Sequence, residues 1–239
     1  MATKYKAAIF DMDGTILDTI EDLKDSLNHS LTRFGHRGDF SAEETCRFFG
    51  SGARTAVIRA LLAESGASNE MIGLAGTPDA PELPISDSEV VEILRYYKPW
   101  YAAHCAIKTG PFPGIPELLR TLAKAGLATA VVSNKPDDAV QSLCEEYFPN
   151  LFDYAIGESA GIRRKPSPDM VWAALSSLGV RPEESVYIGD SEVDIQTAKN
   201  AGLDCICVDW GFRSREALVQ NGADMIVSSC DELMKRILE

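Results

Sequence analysis

The 239-residue sequence predicts an α/β protein, a Rossmann-like parallel-sheet core interrupted by an inserted all-α cap. Three observations carry that prediction. Short apolar runs alternate with helical patterns along most of the chain, the alternation that builds a parallel sheet with helices on both faces. The alternation breaks once, from about residue 18 to 108, where helical patterns follow one another without a convincing strand. Polar residues with chemistry to offer fall where candidate strands end, and parallel α/β sheets bind ligands outside those ends.

The candidate strands are bounded by turn or acidic residues. The first is YKAAIF (5–10). Four helical patterns then make the cap, at 18–35, 41–50, 52–66 and 87–105, with the Gly/Pro-rich stretch 66–86 reading as a loop or linker. The core resumes near GPFPGIPEL. Its first helix, 114–126, has Pro116 early and Gly126 at its end, the order in which helices use these residues. Strands are then expected at 127–133, 154–157, 185–189, 204–208 and 223–227, separated by helices at 136–148, 167–179, 191–202 and 214–222. The domains implied are a core of 1–17 and 109–239 and a cap of 18–108.

A formal net charge of -13 argues against a nucleic-acid backbone or an anionic membrane surface as partner. It leaves room for an anionic substrate, because one metal or ammonium can reverse the field inside a cleft. None of the six cysteines forms a CxxC pair, and Cys205 and Cys207 alternate along one candidate strand, so they read as small buried apolar residues. No apolar run approaches the ~20 residues of a membrane span. An acid at residue 11 interrupts the N-terminal stretch before a signal-peptide core can form. A cytoplasmic protein with reduced thiols is expected.

Asp11 and Asp13 follow the first strand, Ser133, Asn134 and Lys135 the second, and Asp190, Ser191 and Asp194 the fourth. Lys165 precedes Pro166 in a loop just before a helix. Each group alone has an ordinary explanation: a DxDG turn, an N-cap with acids in a first helical turn, a loop lysine. Their meeting at one sheet edge is harder to explain that way. Hard carboxylate oxygens suit Mg²⁺, which also accepts phosphate oxygen. A carboxylate approaching a phosphate dianion meets about 4 kcal/mol of repulsion per pair of unit charges at ~4 Å and an effective dielectric near 20. Mg²⁺ and Lys165 would offset that with three positive charges.

The blocks DMDGT (11–15), VVSNK (131–135), RKPSP (164–168) and GDSEVD (189–194), which span nearly the whole chain, resemble in their order the haloacid dehalogenase superfamily of phosphohydrolases. The likeness is greatest to its phosphoglycolate phosphatase branch, which carries a helical cap after the first block. The resemblance implies that Asp11 is a nucleophile forming an aspartyl-phosphate and that Asp13 protonates the leaving alcohol and then activates water. It implies that Ser133 and Lys165 hold phosphoryl oxygens with help from Asn134. It further implies Mg²⁺ on the Asp11 carboxylate, the Asp13 carbonyl and Asp190, with Asp194 orienting Lys165 or a metal-bound water. Gly14 would allow the sharp turn and Thr15 would steady it. An acid at position 13 argues against simple dehalogenation.

The expected activity is Mg²⁺-dependent hydrolysis of a small phosphorylated metabolite, 2-phosphoglycolate first among them, by a monomer or homodimer. The alternatives are a pyrophosphatase or a sugar-phosphate phosphatase or mutase of the same superfamily and, from a different class, a phospho-accepting signalling module. Specificity is expected in the cap, where Gly50 and Gly52 precede a helix with Arg54 in its first turn. The loop amides and Arg54 would meet a substrate carboxylate, against the alternative of an ordinary interhelical turn. Asp18 is expected to cap the first cap helix. Trp100 and Tyr101 read as cap core or hinge, and His29, His36 and His104 have no part in the chemistry.

Overall fold

A computed structural model describes residues 4–77 and 79–239. In chain order it contains β1 (Ala7–Phe10), β2 (Leu17–Asp18), α1 (Ile20–Arg33), α2 (Ala42–Phe48), α3 (Ala53–Glu64), α4 (Asn69–Leu74) and α5 (Asp87–His104). There follow β3 (Gly110–Pro111), α6 (Ile115–Lys124), β4 (Ala128–Pro136), α7 (Asp137–Tyr147), β5 (Tyr154–Glu158) and α8 (Asp169–Leu178). After a 3₁₀ turn at Pro182–Glu184 come β6 (Ser185–Gly189), α9 (Glu192–Ala201), β7 (Asp204–Val208), α10 (Arg215–Gln220), β8 (Ile226–Val227) and α11 (Cys230–Leu238). The chain divides into two compact units, one of residues 1–18 and 110–239, the other of residues 19–109.

The first unit is an α/β layer structure around a six-stranded sheet in the order β5-β4-β1-β6-β7-β8. Every pairing in it is parallel. β1 lies in the middle and is buried on both faces, which is why AAIF is apolar without alternation. Ala7 and Ile9 join Ala130, Val132 and Tyr187 in a layer closed by Met170, Val171 and Ala174 of α8 and Ala198 and Ala201 of α9. On the other face α6 buries Ile115, Leu118, Leu119 and Leu122, spaced at i, i+3, i+4 and i+7.

Several details depart from the sequence reading. β2 and β3 form a short antiparallel ribbon where the chain leaves and re-enters this unit. Two-residue strands carry no readable period. Asp18 lies in that ribbon, and the N-cap of α1 is Thr19, so Asp18 does not cap the helix. The C-terminal helix α11 was not expected, although Ser229 caps it by accepting from the Glu232 N–H and Leu233 and Ile237 are buried. β4 runs on to Pro136, through residues that read as the turn after it.

The second unit is helical throughout its regular structure. α1 packs along α5, and α3 contacts α2, α4 and α5. α4 occupies part of the stretch read as a linker, capped by the Ser68 side chain. Buried Asp22 of α1 accepts the backbone N–H groups of Ile107 (3.0 Å), Lys108 (2.9 Å) and Thr109 (2.9 Å), and the Thr109 hydroxyl at 2.8 Å. It therefore holds the returning segment to the first helix. Tyr101 is buried and stacks on Tyr97. Trp100 is half-buried between the His29 and His104 rings, 3.7 and 4.1 Å away centroid to centroid. His36 bridges Glu64 of α3 and Glu89 of α5. The three imidazoles thus serve packing and pairing inside this unit. No helix among the described residues is long and apolar enough to cross a membrane.

Candidate active site

The carboxyl end of the sheet brings together the polar residues of β1, β4, β6 and the loop before α8. Asp11 leaves β1 with its backbone N–H donating to the Ile188 carbonyl of β6, so the parallel pairing itself fixes it beside the GDSEVD turn. Its side chain is nearly buried. Met12 donates its N–H to Asp11 Oδ1 at 2.7 Å. The chain then turns sharply at Gly14, where φ is 81°. A Cβ there would lie 2.3 Å from Asp190 Oδ2, so the turn and the close approach both require glycine.

Lys165 is the hub. Its ammonium lies 2.7 Å from Asp11 Oδ1, 2.8 Å from Asp194 Oδ1 and 3.1 Å from the Tyr187 hydroxyl. These three acceptors match the three donors of an ammonium. Burial opposes charge on Lys165, but Asp11 and Asp194 more than offset it and hold its pKa well above the ordinary value. Tyr187 comes from the middle of β6 and donates onward to the Val132 carbonyl at 3.3 Å.

Asn134 grips the backbone of the same lysine. Its Oδ1 accepts the Lys165 N–H at 2.8 Å, and its Nδ2 donates to the Lys165 carbonyl at 3.2 Å. The Asn134 side chain is thus engaged with the Lys165 loop, and the help expected from Asn134 at the phosphoryl group falls to its backbone. Ser133 Oγ accepts the Lys135 N–H at 3.3 Å. Lys135 in turn places its ammonium 2.9 Å from Asp13 Oδ1.

Asp190 and Asp194 stand at the start of α9. Asp190 Oδ2 accepts the Phe212 N–H at 2.6 Å and Oδ1 accepts the Thr15 hydroxyl at 3.2 Å. Asp194 is fully buried. Its Oδ2 accepts the Ser191 N–H at 3.1 Å, the Ser191 hydroxyl at 2.6 Å and the Asp190 N–H at 3.3 Å, which leaves Oδ1 for Lys165. A Cβ on Gly189 would come within 2.3 Å of Asp194, so glycine at 189 lets that carboxylate tuck under the strand end.

Asp11, Asp190 and Asp194 offer carboxylate oxygens that all lie within 4.8 Å of one another. Burial raises Asp11 to about 7, with Lys165 pulling the other way. Burial, then the Asp194 and Asp11 charges, raise Asp190 well above the carboxylate range, with the Phe212 N–H opposing. Asp11, Asp13, Asp190 and Asp194 face two ammonium groups, Lys135 and Lys165, while the nearby Arg213 is balanced by its ion pair with Glu192, so full ionisation leaves two uncompensated negative charges. A divalent, oxygen-seeking cation fits that deficit, and Mg²⁺ is the hard cation that also takes phosphate oxygen. Asp194, committed to Lys165 and Ser191, serves better as support than as ligand.

Arg163, two residues before Lys165, pairs with Asp169 in the first turn of α8 through both carboxylate oxygens at 2.8 Å. Gly50 and Arg54 belong to the second unit. Gly50 and Gly52 both have positive φ, and Gly52 is the N-cap of α3. Arg54 forms an ion pair with Asp87 in the first turn of α5. Neither Lys135 nor Tyr187 has a role that the sequence patterns predict. The signal for Lys135 was its place two residues after Ser133; Tyr187 looked like any core aromatic.

A family model for haloacid dehalogenase-like hydrolases matches residues 8–208. The phosphoglycolate phosphatase of Pseudomonas putida is 28% identical over 233 residues, 97% of this chain and 79% of that protein. The N-acetylmuramic acid 6-phosphate phosphatase of Pseudomonas aeruginosa is 30% identical over 233 residues, 97% of this chain and 94% of that protein. A crystal structure from Lactobacillus delbrueckii subsp. bulgaricus, provisionally assigned as a phosphoglycolate phosphatase, superimposes with a TM-score of 0.96 at 53% identity and 98% coverage of both chains.

Proposed function

The chain belongs to the haloacid dehalogenase-like hydrolases and is a phosphatase of that family, and from that premise we propose that it hydrolyses small phosphate monoesters through an aspartyl-phosphate on Asp11. The observation that carries the reading is the Lys165 ammonium bound to both Asp11 and Asp194, with Asp13 at the same strand end. A buried carboxylate on a fixed cation is held in one orientation, with its second oxygen available to attack.

In the proposed sequence the second Asp11 oxygen attacks phosphorus while the Ser133 hydroxyl donates to a phosphoryl oxygen and the Lys165 charge, exchanging its longest bond, that to Tyr187 at 3.1 Å, for a phosphoryl oxygen, stabilises the group. Asp13 gives a proton to the departing alcohol, then takes one from the water that attacks the phosphoenzyme. Asn134 and Asp194 keep Lys165 in place from its backbone and its ammonium respectively. Asp11, Asp190 and the Asp13 carbonyl would hold Mg²⁺. Bound there, it would neutralise charge on the phosphoryl oxygens and lower the carboxylate–phosphate repulsion.

The best-supported substrate is 2-phosphoglycolate, from the phosphoglycolate phosphatase relatives. N-Acetylmuramic acid 6-phosphate is the second reading, from a relative that this chain matches over almost its whole length. Both molecules carry a carboxylate besides the phosphate. Arg54 is the proposed recognition group, and the substrate carboxylate would have to compete with Asp87 for it. The deciding experiment is phosphate release from a panel of phosphorylated metabolites with Mg²⁺ and with EDTA. Carboxylated monoesters should lead the panel, EDTA should abolish turnover, Mg²⁺ should restore it, and Arg54→Ala should raise KM for those esters alone. Turnover indifferent to chelation would remove the metal from the account.

A further inference from the structure

Lys135 is a buried ammonium to which the mechanism above gives no task. Its side chain is 2% exposed and its Nζ lies 2.9 Å from Asp13 Oδ1. Burying a lysine beside a carboxylate is an expensive way to stabilise a fold, because desolvation of both charges offsets most of the attraction. Asp13 does not need the lysine in order to be solvated, since its side chain is 19% exposed. The exposure is also unevenly divided. Oδ1, the oxygen facing the lysine, is buried and makes no aligned hydrogen bond, so the ammonium holds it by charge, and the accessible part of the carboxylate lies elsewhere in the side chain.

The backbone around Lys135 is fixed by the catalytic strand end itself. Its N–H bonds Ser133 Oγ, and its neighbour Asn134 bonds both backbone groups of Lys165. The tripeptide Ser133–Lys135 therefore supplies a phosphate-facing hydroxyl, sets the Lys165 loop and places a second ammonium. Lys165 binds one oxygen of Asp11, and Lys135 binds one oxygen of Asp13.

We propose that Lys135 is a positioning residue for Asp13, holding Oδ1 so that Oδ2 is the oxygen that exchanges a proton with the substrate. This rests on the role of Asp13 proposed above. In the first step the Asp11–phosphorus bond forms, the phosphorus–alcohol oxygen bond breaks, and the Oδ2 proton goes to the alcohol oxygen. In the second, water forms the new bond to phosphorus, the Asp11–phosphorus bond breaks, and Oδ2 recovers a proton from the water. With Lys135 in place the carboxylate cannot rotate and offer the wrong oxygen.

The test uses the dependence on leaving group. kcat/KM is measured for a series of aryl phosphates from 4-nitrophenyl phosphate to phenyl phosphate, and for 2-phosphoglycolate, with wild type, Asp13→Asn, Lys135→Met and Lys135→Arg. A good leaving group needs no proton, whereas a poor one does, and a positioned general acid contributes about 10²–10⁴-fold. Lys135→Met should lose about 10²-fold or more on the poorest leaving groups and less than about tenfold on 4-nitrophenyl phosphate. The double variant Asp13→Asn/Lys135→Met should be no worse than Asp13→Asn. If Asp13→Asn shows a flat loss along the series, the acid role of Asp13 is wrong. If Asp13→Asn shows the graded loss and Lys135→Met shows a flat one or none, the Lys135 proposal is overturned. Should Lys135→Met not fold, Lys135→Arg keeps the charge but shifts its donors, and its graded or flat loss decides in the same way.

Discussion

Magnesium binding should weaken sharply as the pH falls, because Asp11 must lose a proton before it can hold a cation. The perturbation is a change from pH 7.5 to pH 5.5. Burial raises the Asp11 carboxyl to about 7. Its ionised fraction then falls from about three-quarters to about 3% over that interval, so the apparent affinity drops about 25-fold, or about 1.9 kcal/mol. Asp190, raised in the same direction, adds to the loss. The assay is isothermal titration calorimetry of the metal-free protein in two buffers of different ionisation enthalpy, which counts the protons released with each ion. About one proton or more should leave at pH 5.5. Equal affinity at the two pH values with no proton release would refute the claim that the raised Asp11 carboxyl lies in the cation site.

The same shift gives a stability prediction. The folded protein binds protons more tightly at Asp11 than the unfolded chain does, so metal-free stability should decline as the pH rises from about 4 to about 7. Calorimetric melting with and without Mg²⁺ should show the two curves diverging across that window, and parallel curves would count against it. Asp194→Asn removes one charge partner of a buried ammonium and should destabilise the sheet-bearing unit by about 3 kcal/mol in urea unfolding. A loss below about 1 kcal/mol would mean that the pair is not what holds Lys165. Gly189→Ala places a methyl into Asp194 and should reduce turnover of 4-nitrophenyl phosphate although Asp11 and Asp13 are themselves unchanged. Wild-type turnover in this variant would show that Asp194 can move without consequence. Asp22→Ala strips the acceptor from three backbone N–H groups and should destabilise the helical unit by about 2–3 kcal/mol. Hydrogen exchange should quicken at Ile107, Lys108 and Thr109, and unchanged protection there would contradict the assigned bonds.

The sheet was legible because its strands are buried on both faces and read as apolar runs, and because strand ends and helix caps use different residues. AAIF, SVYIG and CICV, with their following turns, were enough to place three neighbouring strands. The β2–β3 ribbon was not legible, since two residues cannot show a period of two and its pairing joins residues far apart in the chain. Asp18 resembled an N-cap, but the chain spends that residue on the ribbon and starts the helix one residue later. The four blocks of polar residues were visible as types, and the structure brings those of the sheet-bearing unit to one edge. Their pairing was not visible. That Asn134 reads the Lys165 backbone, that Tyr187 bonds the Lys165 ammonium and that Lys135 turns to Asp13 all depend on register between β1, β4 and β6. Likewise Arg54 was legible as a cation in a first turn, whereas its pairing with Asp87 joins two helices across the inserted unit.

The central claim is that Asp11 carries the phosphoryl group. The Asp13→Asn variant, mixed with 4-nitrophenyl phosphate and Mg²⁺, should accumulate the phosphoenzyme because water activation is lost while the leaving group still departs. Acid quench, borohydride reduction and peptide mass spectrometry convert an aspartyl-phosphate to homoserine and locate it. Homoserine is expected at position 11; homoserine at position 190 or 194 would contradict the assignment.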